Sequence, residues 1–70
     1  MIQTNKIKGR MTELEITQKA AAAKLGIDES TFNRKLNSRH GSVFSLQEVV
    51  QLADLLELSM EQKADYFFGN

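Results

Sequence analysis

One stretch, ITQKAAAAKLGIDESTFNRKLN at residues 16–37, constrains the fold most, because it holds two helical segments with almost no chain between them. Thr17 and Asp28 each precede a segment of helical spacing, where a side-chain oxygen can accept a free backbone N–H. Gly26 follows the first segment, at the position where a left-handed residue commonly ends a helix. The chain between the two segments is therefore predicted to turn sharply.

We predict a helix over about 18–25 and a second over about 29–37, crossing at a steep angle as in a helix-turn-helix. Ala22 lies one turn before Gly26 and is the predicted small side chain at the crossing, while the neighbouring alanines keep the rest of the first helix thin. Helix propensity alone would explain the alanines. It does not explain their combination with a helix-ending glycine and a second N-cap.

Helical spacing predicts three further helices around the same core. The first covers about 5–15 and contains Gly9, which we expect to be tolerated through the close approach of another helix. Ser45–Glu48 (SLQE) and Ser59–Gln62 (SMEQ) are capping boxes that begin the fourth and fifth helices. No segment alternates in the way of a strand. We therefore predict an all-α domain of five short helices over residues 1–70.

The last two predicted helices are rich in large apolar side chains. In the fourth, the predicted core stripe consists of Val49, Leu52, Ala53 and Leu56, widened by Leu46, Val50 and Leu55. The fifth ends in Tyr66, Phe67 and Phe68. Three adjacent aromatic side chains cannot all point inward from a helix, so we expect at least one to be exposed or to contact a partner.

Composition excludes several classes of protein. The chain has no cysteine and one histidine, His40, so no thiolate or multi-histidine metal site is expected, and no cofactor is predicted. Paired carboxylates on one face, a nucleophile beside His40 and a glycine-rich phosphate loop are all missing, so an enzyme is not expected. No apolar run approaches the roughly 20 residues of a membrane span. With Met1 at its start, we expect a whole cytoplasmic protein without a membrane partner.

Charge is distributed unevenly although the net charge is zero. Positions 1–40 hold eight basic and four acidic residues, whereas positions 41–70 hold one basic and five acidic residues. The two parts therefore carry net charges of +4 and −4. With few charges in all, such a split can arise by chance. It also fits a chain whose first part meets a polyanion, and the clustering described below favours that interpretation.

The segment TQKAAAAKLGIDESTFNRKLN resembles the Cro/CI-type (XRE-like) helix-turn-helix family of phage and bacterial repressors. The matching residues are Gln18, Ala22, Gly26, Ile27 and Phe32. SLQEVVQLADLLEL resembles the fourth helix of that family, and the terminal DYFFG resembles the ending of small Cro-like regulators of temperate phages. The resemblance implies a lambda-repressor-like fold and a dimeric transcriptional regulator that binds operator DNA, as in a lysogeny/lysis switch in a bacterial host.

The second helix of the pair has one polar face suited to reading DNA. With 100° per residue, the core face centres near Phe32 and Leu36, and the outward face lies about 180° away. That face is predicted to hold Ser30, Arg34 and Asn37, flanked by Thr31 and Asn33. An arginine fork matches guanine O6 and N7, and an asparagine amide matches adenine N6 and N7. A solvated helix face is the simpler explanation for any one of these residues.

Residues on either side of this face are suited to phosphate contacts. Thr17, Gln18 and Lys19 begin the first helix of the pair, where the helix dipole and free N–H groups favour an anion. Ser38 and Arg39 follow the second helix, and Lys35 is expected beside the core stripe, pointing to solvent. So few cations per chain favour a homodimer through the last two helices, with half-sites about 34–36 Å apart.

A second function belongs to another class: a protein-interaction modulator, antirepressor-like, that pairs with the cognate phage repressor. The zero net charge, the acidic pair Asp28 and Glu29 at the start of the second helix, and the aromatic end of the chain favour it. Salt-dependent DNA binding would distinguish the two functions.

Overall fold

The computed structural model describes residues 2–38 and 41–68 and holds no strand within them. Its helices are α1 (Thr4–Glu13), α2 (Gln18–Leu25), α3 (Glu29–Leu36), α4 (Leu46–Leu55) and α5 (Met60–Phe68). The prediction of an all-α chain of five short helices is confirmed. None of these helices is both long enough and apolar enough to cross a membrane.

Helix α2 begins and ends where the sequence predicts, and α3 begins where it predicts. The hydroxyl oxygen of Thr17 accepts the backbone N–H of Ala20 at 3.0 Å, and the carboxylate of Asp28 accepts that of Thr31 at 2.7 Å. Gly26 has φ +75°, the left-handed conformation, and its N–H still bonds to α2. Three residues therefore suffice to turn the chain from one helix into the next.

The capping boxes of α4 and α5 are both present. At α4 the backbone N–H of Glu48 donates to Ser45 Oγ at 3.1 Å, and the Ser45 N–H donates to the Glu48 carboxylate at 2.8 Å. Ser59 and Gln62 make the same reciprocal pair at 2.9 and 3.2 Å. Both predicted helix starts are confirmed.

Two helix ends differ from the prediction by one or two residues. Helix α1 ends at Glu13 because Leu14 has ψ near 0° and Glu15 is left-handed, with φ +56°. Helix α3 ends at Leu36, and Asn37 is its C-cap rather than its last residue. Gly9 is also explained differently: a Cβ added there would meet nothing within 4 Å, so no helix approaches it closely.

Helix α2 has small side chains where two other helices pack against it. It packs against both α3 and α4, and these are the most extensive helix pairs of the fold. Ala21 is fully buried and Ala22 is 2% exposed. Ala22, the small side chain predicted at the crossing, is therefore buried, and Ala21 is a second small side chain in the core. The shared core is built of Ile7, Met11, Ala21, Ala22, Leu25, Phe32, Leu36, Leu52, Ala53, Leu56, Leu58 and Phe67.

The predicted apolar stripe of α4 is too wide. Leu46 is 76% exposed and Val50 is 50% exposed, so neither belongs to the core. Val50 lies about 110° around the helix from the centre of the buried stripe, and Leu46 is the first residue of α4, at the edge of the fold. At the other end of the chain Phe67 is buried and Phe68 is 66% exposed, which confirms that the aromatic cluster does not all point inward.

Candidate nucleic-acid interface

Helix α3 has one buried and one exposed side. Phe32 and Leu36 are fully buried, whereas Ser30 and Arg34 are exposed. The Asp28 carboxylate fixes the start of the helix and also accepts the Ser30 hydroxyl at 2.8 Å. The exposed side therefore presents a hydroxyl and a guanidinium from a helix whose opposite side is anchored in the core.

The Arg34 side chain is held along its own helix. One guanidinium nitrogen donates to the Thr31 hydroxyl at 3.2 Å, and Thr31 is half-buried. A guanidinium has five N–H donors in a planar fork. This single bond leaves donors of Arg34 available for an acceptor in solution.

Asn33 lies at the junction of the two helices. Its side-chain amide donates to the Gln18 side-chain oxygen at 3.0 Å, and both residues are half-buried. Gln18 and Asn33 form a shallow polar depression with Glu29, Ser30 and Arg34. The structure thus brings together predicted residues from both helices, with one acidic side chain among them.

The end of α3 is oriented differently from the prediction. The Asn37 side chain donates to the Asn33 carbonyl at 2.9 Å and accepts from Lys8 Nζ of α1 at 3.4 Å. It is half-buried and closes the helix, so it does not share the exposed side with Ser30 and Arg34. Ser38 is exposed with φ +53°. Arg39 and His40 lie outside the described residues.

The beginning of α2 lies on the exposed surface. Thr17 and Lys19 are exposed and Gln18 is half-buried, and Thr17 caps the helix. The positive end of the α2 dipole and the Lys19 ammonium therefore stand together. Lys19 and Arg34 form no ion pair with another described residue, so both charges remain available to an anion.

Other cations of the basic part are engaged within the fold. Lys6 Nζ is 2.6 Å from an Asp65 carboxylate oxygen, which joins α1 to α5. Arg10 Nε donates to the Leu56 carbonyl at 2.9 Å, at the end of α4. These side chains attach α1 to the acidic part of the chain. The net +4 of residues 1–40 therefore overstates the charge that can meet a partner.

The start of α3 keeps a negative charge. The backbone N–H of Thr31 and the hydroxyl of Ser30 hydrogen-bond to Asp28 and lower the pKa of its carboxyl from 3.8 to about 2. Asp28 is therefore ionised at any physiological pH. A phosphate approaching the first turn of α3 would be repelled there, whereas the next turn, at Arg34, attracts it.

Sequence reasoning missed an ion pair between α3 and α4. Lys35 was predicted to point to solvent, but its Nζ lies 2.8 and 2.9 Å from the two Glu48 carboxylate oxygens. The two side chains are only 22% and 12% exposed. Burial alone would raise the pKa of the Glu48 carboxyl, but hydrogen bonds from Lys35 and from the Ser45 backbone outweigh it and lower the pKa.

A signal for this pair was present in the sequence. Lys35 lies about 80° from the centre of the buried side of α3, too close to the core to be freely solvated. Glu48 is the second member of a capping box, so its carboxylate has a fixed position.

The fold and this surface define a small all-α domain with an exposed polar helix face. Residues 2–70 match the family described as a protein of unknown function, DUF739, and the chain belongs to that family. No curated protein and no solved structure matches the chain.

Proposed function

We propose that this chain is a small transcriptional regulator that binds operator DNA, with α3 as the recognition helix in the major groove and α2 beside it. The observation that carries the proposal is the exposure of Ser30 and Arg34 opposite the buried Phe32 and Leu36. The resemblance of residues 17–37 to Cro/CI-type helix-turn-helix segments supports it. On the same resemblance, the regulator would act in a phage lysogeny/lysis switch inside a bacterial host.

Arg34 is the main base-reading residue in this proposal. Its guanidinium fork matches the O6 and N7 acceptors of guanine, and such a bidentate pair contributes about 1–3 kcal/mol of discrimination. Ser30 lies one turn earlier on the same exposed side and suits a base edge or a phosphate. The Asn33 side-chain amide donates a hydrogen bond to the Gln18 side-chain oxygen. The two amide side chains would therefore contact an adenine as a pair.

Phosphate contacts come from the beginning of α2 and the segment after α3. Thr17 and Lys19 supply a capped helix N-terminus with an exposed ammonium. Ser38 is exposed beyond α3, and Arg39, which follows it, belongs to the same predicted set. These contacts position the helix on the duplex, whereas the α3 side chains read the sequence.

A homodimer is part of this proposal, because one chain offers few free cations and a second copy doubles them. The surface we assign to it is an apolar groove, defined by Ile2, Val43, Phe44, Val49, Phe67 and Phe68. Lys35 and Ser38 also line the groove, and Glu48 neutralises the charge of Lys35. Ser38 therefore lies where this groove meets the segment that follows α3. Two such grooves can face each other without bringing like charges together. Half-sites on the DNA would then lie about 34–36 Å apart.

The test is fluorescence anisotropy with two labelled 20-base-pair duplexes, one selected by the protein from a random pool and one of random sequence. We expect binding that weakens steeply with salt and a preference for the selected duplex. Arg34→Ala should reduce that preference by about tenfold, whereas the matched variant Lys24→Ala, at another exposed cation of this part, should change it little. Equal loss in both variants would contradict the assignment of Arg34.

A protein-interaction modulator is the second candidate, and a specific observation favours it. Asp28 and Glu29 place two carboxylates at the start of α3 beside the proposed DNA-reading side, and the apolar groove remains exposed. In this function the partner is a cognate phage repressor. The absence of binding to either duplex at low salt would favour this candidate over the first.

A further inference from the structure

In the proposed DNA binding, on which this subsection rests, the rotation of α3 about its own axis determines whether Arg34 meets a base edge. With 100° per residue, Asn33 and Lys35 lie about 80° to either side of the buried face centred near Phe32 and Leu36. Arg34 lies about 180° from that centre. Rotating the helix by a few tens of degrees would turn Arg34 away from a base edge, and contacts on the two flanks of α3 oppose such a rotation in addition to the buried Phe32 and Leu36.

Each flank of α3 is held by a different helix. On one flank Asn33 donates to Gln18 of α2 at 3.0 Å. On the other, Lys35 donates to both carboxylate oxygens of Glu48 in α4 at 2.8 and 2.9 Å. Because the two contacts pull on opposite sides, together they oppose rotation in either direction.

Glu48 is itself held firmly. It is the one buried polar or charged residue of the described chain, at 9% exposure. Its backbone N–H donates to Ser45 Oγ, and its carboxylate accepts the Ser45 N–H at 2.8 Å. The anion that holds Lys35 is therefore fixed to the first turn of α4 and does not swing with α3.

We propose that Glu48 is a positioning residue for DNA recognition, which acts through Lys35 to set the direction in which Arg34 and Ser30 face the duplex. Neither member of the pair touches DNA. Lys35 contributes no phosphate contact, because its ammonium is turned towards α4. The pair governs the discrimination between sequences and leaves the general attraction to phosphate unchanged.

The decisive variant is the double substitution Lys35→Met/Glu48→Gln. It conserves the net charge, keeps a glutamine that can complete the capping box, and leaves no buried charge without a partner. The matched control is Lys24→Met/Glu61→Gln, which makes the same exchange at exposed positions. Thermal unfolding by circular dichroism measures how much of each protein is folded before binding is compared.

We expect the double variant to fold and to lose about tenfold in affinity for the selected duplex, the effect of weakening one base contact. Its affinity for the random duplex and its salt slope should match those of the wild type. Undiminished discrimination would overturn the positioning role. A loss for both duplexes with a salt slope smaller by about 0.9 per chain would identify Lys35 as a phosphate contact and overturn it as well.

Single variants at Lys35 keep the test decisive if the double variant does not fold. Lys35→Arg retains a cation that can reach Glu48 and should keep the preference for the selected duplex. Lys35→Gln loses the charge and should lose the preference. An equal preference for the selected duplex in these two variants would overturn the proposal. If the wild type binds neither duplex at low salt, the proposed function itself fails, an outcome separate from any variant result.

Discussion

The exposed side of α3 and the apolar groove are two surfaces of this fold that differ in chemistry. The α3 side presents the Ser30 hydroxyl and the Arg34 guanidinium. The groove is lined by, among others, Val43 and Phe68, which are 69% and 66% exposed. A polar side suits hydrated bases and phosphates, whereas an exposed apolar surface suits another protein surface. The described residues thus form two surfaces of unlike chemistry, one polar and one apolar.

The sequence predicted the α3 side better than the width of the apolar core, for a physical reason. The burial of Phe32 and Leu36 and the caps of α2 and α3 depend on spacing and on bonds within a few residues. Such local signals are read directly from the order of residues. Leu46 and Val50 were placed in the core wrongly, because the width of a buried stripe depends on which helices pack beside it.

The ion pair between Lys35 and Glu48 was not predicted, because it too depends on how the helices pack. The two residues are 13 positions apart, and only the packing of α3 against its neighbours brings them within 2.8 Å. Asn37 was likewise expected on the exposed side, but Lys8 of α1 and the end of α3 engage its side chain. Helical periodicity gives the direction of a side chain and not the partner it meets.

The largest effect is the loss of stability when a buried aromatic side chain is removed, compared with the removal of an exposed one. Phe32→Ala removes a fully buried ring that packs on Phe44 and should cost about 3–5 kcal/mol of the free energy of unfolding. In a domain of this size that loss can unfold the chain. Phe68→Ala should cost less than about 0.5 kcal/mol. Denaturant titration followed by circular dichroism measures both, and equal losses would contradict the burial described here.

The next effect tests the groove as a dimer surface. Val43→Ser/Phe68→Ser replaces two exposed lining residues with hydroxyls and should weaken dimerisation by about 2 kcal/mol, or roughly 30-fold, without unfolding the chain. Met60→Ser is the control, since Met60 is 84% exposed but does not line the groove. Sedimentation equilibrium measures the dimer constant. An unchanged constant in the double variant would exclude the groove.

A smaller effect compares the same substitution at two glycines. Gly26→Ala forces a left-handed alanine at the turn before the α3 side and should cost about 1 kcal/mol of stability. Gly9→Ala lies inside α1 with open space around the added Cβ and should gain about 0.5–1 kcal/mol. Chemical denaturation gives both values. Stability changes of the same sign at both positions would contradict the backbone conformation described for one of the two glycines.

The smallest effect is a pH dependence at the start of α3. Because the pKa of Asp28 falls from 3.8 to about 2 on folding, its stabilising contribution is present above about pH 4 and is lost as the pH falls towards 2. Asp28→Asn keeps a capping oxygen without this titration. As the pH falls from about 4 to 2, the wild type should therefore lose more of its free energy of unfolding than the variant does. A difference that stays constant would show that Asp28 is not hydrogen-bonded as described.

The most direct test of the central claim is a two-dimensional amide NMR titration of the full chain with the selected DNA duplex. If α3 reads DNA, the largest shifts should fall at Thr17–Lys19 and Ser30–Arg34, and Arg34→Ala should reduce them. Shifts concentrated at the groove residues Val43, Phe44 and Phe68, or no shifts at low salt, would contradict the assignment of the α3 side to DNA.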